Sequence, residues 1–202
     1  MKQTFKIIGL CGRSGSGKGY ICEKFADFGI PSIDTDRVYN DIISNKNSEC
    51  LKELVYSFGN SILKSSGELD RKALGSIVFS DDEKLKLLNS VTHKYILRAT
   101  AAEVKRYRKN GKKAVVVDAP VLFESGFDGL CDILLCVTCP DEKCIERITE
   151  RDGIDKASAE NRLKSQLSSE MLRSLCDWEI VNNDVEDPEK QVEDFLRHYS
   201  LL

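Results

Sequence analysis

Five short apolar runs punctuate the chain, at residues 5–9, 30–33, 114–118, 133–138 and 179–181, and patterns of helical period fill most of the intervals between them. Apolar runs this short, alternating with helical patterns, predict buried strands in a parallel sheet covered by helices. The expected fold class is therefore α/β, with a five-stranded parallel sheet flanked by helices. In open sheets of this kind ligands collect beyond the carboxyl ends of the strands. The positions of interest are then 12–18, 34–37, 118–124, 139–141 and 182–184.

The helical intervals differ in kind. Ile21, Cys22, Phe25 and Phe28 recur at helical spacing, and Gly29 stands where a C-terminal cap belongs. The interval 37–113 is too long for one crossover helix. Leu51, Leu54, Val55 and Phe58 form one stripe in it, and Leu85, Leu88, Val91 and Tyr95 form another after the N-cap signal Ser80-Asp81. This reads as a helical insertion at the sheet edge that encloses an acceptor substrate. Residues 141–176 form a charged helical stretch carrying Arg147, Arg151, Arg162 and Arg173, expected to act as a lid. Asp187-Pro188 launches a last helix with Val192, Phe195 and Leu196 on one side. The 202 residues are expected to form a single domain, with the insertion and lid as parts of it.

The chemistry starts directly after the first apolar run. Gly12-Arg13-Ser14-Gly15-Ser16-Gly17-Lys18 has the layout of a phosphate-binding loop between a strand and a helix. Gly12, Gly15 and Gly17 let the backbone turn tightly and aim N–H groups at an anion, and Lys18 adds a positive charge at the helix start. Ser14 and Ser16 complete the loop. The position after the lysine, where a Ser or Thr hydroxyl usually meets Mg²⁺, is Gly19, and Tyr20 follows. Magnesium therefore lacks a direct loop ligand.

A phosphate loop alone does not choose between a switch, a motor and a small-molecule kinase. Ile33-Asp34-Thr35-Asp36-Arg37 places two carboxylates and an arginine at the second strand end, where a carboxylate can take the proton of an attacking hydroxyl. The same residues allow Asp34 to cap the next helix, and both roles can coexist. Val115-Val116-Val117-Asp118 ends an apolar strand in an acid suited to Mg²⁺. Arg147 and Arg151 lie four apart on one helix face, a geometry for guanidinium groups on transferring phosphates, although Glu146 and Glu150 offer simple surface pairing.

Composition narrows the picture. A formal net charge of −3 argues against a general polyanion binder, so no nucleic-acid partner is expected. No apolar stretch approaches a membrane span, and Met1 to Thr4 lead into the first strand without a secretory signal. A cytoplasmic protein, monomeric or a small homo-oligomer, is expected. The eight cysteines show no paired-knuckle spacing and read as buried reduced thiols, Cys136-Val137-Thr138-Cys139 included.

Taken in order, the glycine loop, Phe25 to Ile30, Ile33 to Asp36, Gly67 to Lys72, Ile77 to Phe79, Leu88-Asn89 with His93, Asp118 to Glu124, Glu146-Arg147, Arg151 to Gly153, Arg162 with Gln166, and Ile180 to Asn183 resemble the dephospho-CoA kinase family across nearly the whole chain. The resemblance implies a P-loop kinase fold with a core, a lid and a helical CoA-binding part. It also implies ATP-dependent phosphorylation of the ribose 3′-hydroxyl of dephospho-CoA, with Mg²⁺. Carried over by position, Lys18, Asp36 and Arg147 are the catalytic candidates, with Asp36 as general base. Residues 12 and 14–20, with Asn182 and Asn183, are expected around the nucleotide. Asp34, Arg37, His93, Asp118, Glu124, Arg151 and Arg162 are expected around the substrate, and Asp118 and Asp36 beside the metal. The family pattern departs at Gly19-Tyr20 and at His93-Lys94, where it usually carries Ser-Thr and His-Pro. Two other readings stay open: a non-catalytic nucleotide- or CoA-binding module, and a P-loop kinase for another hydroxyl acceptor such as a nucleoside.

Overall fold

A computed structural model describes residues 4–202; Met1, Lys2 and Gln3, part of the expected leaderless start, lie outside the described residues. Contacts divide the chain into two compact units, Met1–Ile33 with Val104–Leu202, and Asp34–Glu103. The second matches most of the interval expected as a helical insertion.

The first unit is built on a five-stranded sheet in the order β2-β3-β1-β4-β5, formed by β1 (Lys6–Cys11), β2 (Ser32–Asp34), β3 (Ala114–Asp118), β4 (Ile133–Thr138) and β5 (Trp178–Val181). All five expected strands are present, β3 and β4 with the expected bounds and the other three with ends shifted by at most two residues. β1 runs parallel to both β3 and β4, with Leu10 opposite Asp118 and Cys11 opposite Cys136. Central β1 and β3 are apolar throughout their buried length because helices cover both faces.

Helix α1 (Lys18–Asp27) and the terminal helix α9 (Pro188–His198) seal one face of this sheet. Ile8, Leu10, Ile21, Phe25, Val192 and Phe195 are fully buried between them. Phe25 meets Phe195 edge-on at 5.5 Å, and Trp178 meets Phe195 at 5.8 Å, geometries that aromatic quadrupoles favour. Asp187 caps α9 through the Glu189 and Lys190 N–H groups, with Pro188 in the first turn as the sequence signals.

The charged stretch after β4 divides into α6 (Asp141–Asp152), α7 (Lys156–Lys164) and α8 (Ser169–Leu175). Gly153, in the left-handed region at φ 64°, ends α6, while Asp155 and Ser168 cap α7 and α8. Its own small core joins Cys139, Cys144, Ile148, Ala159 and Leu163.

The second unit contains α2 (Thr35–Ser44), α3 (Glu49–Phe58), α4 (Arg71–Val78) and most of the 28-residue α5 (Asp82–Lys109), which carries the chain back to the first unit. Leu51, Leu54, Leu74, Val78 and Val91 are buried together, and Val55, Phe58, Leu85, Leu88 and Tyr95 pack against them. The two stripes read from the sequence thus line one core. Asp81 caps α5 by accepting from the Glu83 and Lys84 N–H groups.

Candidate active site

Beyond Cys11 the chain turns through Gly12–Gly17 and enters α1 at Lys18. Gly15 (φ 78°) and Gly17 (φ 92°) occupy the left-handed region, which a side chain disfavours. Space is the second constraint. A β-carbon at Gly12 would lie 2.6 Å from the Val137 carbonyl oxygen, one at Gly15 2.5 Å from the Cys144 carbonyl oxygen, and one at Gly17 would overlap Asn182 Nδ2. The loop is therefore pressed against β4, α6 and the turn after β5. Asn182, buried and at the end of β5, donates from Nδ2 to the Ser16 carbonyl at 2.8 Å and fixes the last bend.

Gly17 caps α1 without a side-chain oxygen, and no acid occupies the first turn. The first N–H groups and the positive end of the helix dipole thus remain for an anion. Lys18 Nζ donates to the Gly12 carbonyl at 3.0 Å, which curls the ammonium back over the loop.

Several residues that the sequence did not single out as site candidates hold this loop. Arg13 is buried: its guanidinium meets Asp141 and donates to the Leu163 carbonyl at 2.9 Å, tying the loop to α6 and α7. Gln166 Oε1 accepts from the Ser14 N–H at 2.9 Å. Asp184 accepts from Arg147 at 2.8 Å and from Lys143, and these cations, Lys143 first, hold its carboxyl below the ordinary range. Arg147 also donates to the Gly15 carbonyl at 3.3 Å. Asp141 and Asp184 do follow strand ends, the one signal that could have found them. Arg13 lies in the loop motif and Gln166 in a block of the family resemblance, but neither position signals its partner, which lies about 130–150 residues away.

Two concavities adjoin the loop. One cleft is lined by Gly17, Tyr20, Arg147, Asn182, Asp184 and Pro188, so it brings Tyr20 and Asn182, expected around the nucleotide, together with Arg147, expected as catalytic. Asn183 is not among its lining residues; its side chain accepts from the Val185 and Glu186 N–H groups and shapes the turn. The other, a cavity of about 120 Å³, runs from Gly12 and Arg13 past Pro120, Phe123 and Glu124 to Gln166. Asp118 closes β3 opposite Leu10, beside the base of the loop. Arg151 and Arg162 do not lie along the loop's hydrogen bonds: both bind Asp152, Arg151 at 2.8 and 2.9 Å, and hold that carboxyl far below its usual range.

In the second unit, Asp34 Oδ1 accepts from the Asp36 N–H at 2.9 Å and the Arg37 N–H at 3.1 Å, capping α2. Asp36 and Arg37 are exposed in the first turn. His93 lies half-buried on α5, where burial lowers its pKa. Lys94 pairs with Glu53 at 2.5 Å, and Tyr95 donates to the same carboxylate at 2.7 Å. Lys94 and Tyr95 thus join α5 to α3, and α5 runs without a break.

The donor set around the loop tests whether Mg²⁺ fits. No cluster of three or more His, Cys, Asp or Glu side chains suited to a metal occurs among the described residues. Gly19 brings no hydroxyl, yet a β-carbon there meets nothing within 4 Å. Asp118 is a carboxylate at the loop base. Such a set fits an ion carried on nucleotide oxygens and water, not one caged by protein.

Comparison with known proteins agrees with this geometry. The dephospho-CoA kinase family model matches residues 6–187. A dephospho-CoA kinase of Fusobacterium nucleatum is 40% identical over 193 residues, covering 95% of this chain and 97% of that protein. One from Arabidopsis thaliana is 38% identical over 192 residues, 95% of this chain and 82% of that protein. A solved structure from Thermus thermophilus superposes with a TM-score of 0.82 at 29% identity, covering 96% of both chains. The phosphate loop, its five-stranded parallel sheet and these matches along almost the full length place the chain in the dephospho-CoA kinase family of P-loop kinases.

Proposed function

We propose that the protein transfers the γ-phosphoryl group of ATP to the ribose 3′-hydroxyl of dephospho-CoA, giving coenzyme A and ADP. The observation that carries this reading is the loop at Gly12–Lys18: glycines pinned against three other elements, an uncapped helix start, and a lysine folded over the turn. Membership of the family supplies the acceptor.

The loop N–H groups and Lys18 bind and orient the β- and γ-phosphates, and their charge opposes the negative charge that builds during in-line transfer. The cleft between Tyr20, Arg147 and Asn182 takes the nucleoside end, with Arg147 fixed by Asp184 and the Gly15 carbonyl. Asp36 accepts the proton of the 3′-hydroxyl as its oxygen attacks phosphorus, and ADP leaves on the opposite side. Arg37, His93 and Glu124 contact the acceptor. Asp34 serves Asp36 indirectly, by capping the helix that presents it. Arg151 and Arg162 reach phosphate only by exchanging Asp152 for it. Mg²⁺, held by ATP oxygens and water near Asp118 and Asp36, would neutralise phosphate charge.

No helix among the described residues is long and apolar enough to cross a membrane. With a small polar substrate and an acidic net charge, the reading places the enzyme in the cytoplasm, acting without nucleic acid, as a monomer or small homo-oligomer.

An ADP-release assay with ATP, Mg²⁺ and dephospho-CoA tests the proposal. Turnover is expected with dephospho-CoA and not with nucleosides. Folded protein that binds ATP but releases no ADP would instead favour the non-catalytic module, the reading that the missing hydroxyl at Gly19 supports.

A further inference from the structure

Of the eight cysteines, the fold gathers three that the sequence keeps far apart. Cys11 ends β1, directly before Gly12; Cys136 is its partner across the β1–β4 pairing; Cys176 lies between α8 and β5. The Cys11 and Cys176 sulfurs are 3.5 Å apart and share a hydrogen bond. Cys11 and Cys136 are buried, whereas Cys176 is half-buried and is the residue of the three that solvent reaches. Cys139, the other half of the Cys-x-x-Cys spacing, instead meets Arg147 and Cys144.

We propose that Cys11 and Cys176 are an oxidation site, at which a hydroperoxide joins the two sulfurs in a disulfide that fastens the base of the phosphate loop to the α8–β5 connection. Cys176, as thiolate, attacks one peroxide oxygen; the O–O bond breaks, water leaves and a sulfenic acid forms. Cys11 sulfur then attacks the Cys176 sulfur, the S–O bond breaks and a second water departs with the remaining proton. Two thiols and one hydrogen peroxide thus give one disulfide and two waters. Disulfides in reducing compartments are typically transient and redox-sensing, which matches a reversible bridge.

Position makes the bridge consequential. To bond, the sulfurs must close by about 1.5 Å. One of the two residues drawn together is covalently next to Gly12, whose packing against the Val137 carbonyl leaves no room for a β-carbon. A displacement of about 1 Å at a positioning element costs on the order of a hundredfold in rate, so the bridged enzyme is expected to lose about tenfold to a hundredfold in turnover. The hydrogen bond to Cys11 and burial push the Cys176 thiol up to about 12. Oxidation is accordingly slow near neutrality and accelerates as the pH rises.

The test treats the folded full-length protein with hydrogen peroxide, maps its peptides by mass spectrometry and assays ADP release in parallel. The expected result is a Cys11–Cys176 linked peptide that dithiothreitol removes, with turnover falling and recovering alongside it. Cys176→Ser is expected to keep the turnover of untreated wild type and to resist peroxide; Cys176→Ala serves if the serine does not fold. A bridge involving Cys136, a sulfinic acid at Cys176 without a bridge, or a Cys11–Cys176 bridge that leaves turnover unchanged would overturn the proposal. The activity arm rests on the kinase reading and the mass arm does not, so absent ADP release in untreated protein would count against that reading alone.

Discussion

The phosphate loop and the start of α2 both follow the carboxyl end of a strand, yet they are held in opposite ways. The loop takes its shape from other elements: the carbonyl of Val137 in β4, the carbonyl of Cys144 in α6 and the amide of Asn182 leave no room for side chains at Gly12, Gly15 and Gly17. The start of α2 is held by its own residue, Asp34, whose carboxylate accepts from the Asp36 and Arg37 N–H groups. On the proposed reading, the segment that wraps an anion is thus fixed from outside, by two carbonyls and one side-chain amide, while the segment that presents a proton acceptor is fixed from inside by a cap. Substitutions should then fail for different reasons in the two places.

The largest expected effect lies on the acceptor side. Asp36→Asn should lower kcat by about 10²–10⁴-fold, the scale of a lost general base, with ATP affinity almost unchanged by calorimetry. Gly15→Ala should lose roughly 3 kcal/mol of stability from overpacking and left-handed strain, together with ATP affinity; chemical denaturation and nucleotide titration would show both. If the alanine variant kept full affinity, outside fixation of the loop would be wrong. Asp34→Ala should cost about 1 kcal/mol and leave ATP binding intact, because a cap is lost in a different unit. Gly19→Ser should stay within about 0.5 kcal/mol of wild type, since its β-carbon meets nothing, while tightening Mg²⁺-dependent ATP binding by restoring a hydroxyl.

The smallest effect concerns pH. Lys143 and then Arg147 hold the Asp184 carboxyl below its ordinary value of 3.8. The stability it contributes is therefore complete above that value and is lost as pH falls through the lower folded value. In Asp184→Asn the acid limb of a Tm profile should be flatter below about pH 4. An unchanged limb would mean that Asp184 does not hold Arg147 in solution.

Local pattern made much of this legible. Each strand announced itself as an apolar run, and the caps at Asp81 and Asp187 were readable because Asx capping depends on residues two or three positions away. The loop was readable because its three glycines and its lysine fall within seven consecutive residues. What stayed hidden is nonlocal. Arg13, Gln166 and Asp184 matter through partners on distant segments, and no periodicity encodes such a pairing. Likewise, the charged stretch read as one lid divides at Gly153 into helices, and two of its arginines share Asp152, an arrangement visible only once α6 and α7 fold together.

Where the loop rests on the carbonyl oxygens of Val137 and Cys144, its mould is made of atoms that every amino acid supplies, whereas at Gly17 it rests on the side-chain amide of Asn182. At Gly12 and Gly15 the constraint on contact therefore falls on the glycine itself rather than on the identity of the side chain whose carbonyl it faces. Selection on this part of the protein should be read in where glycine persists, and the freely substitutable Gly19 marks where that constraint stops.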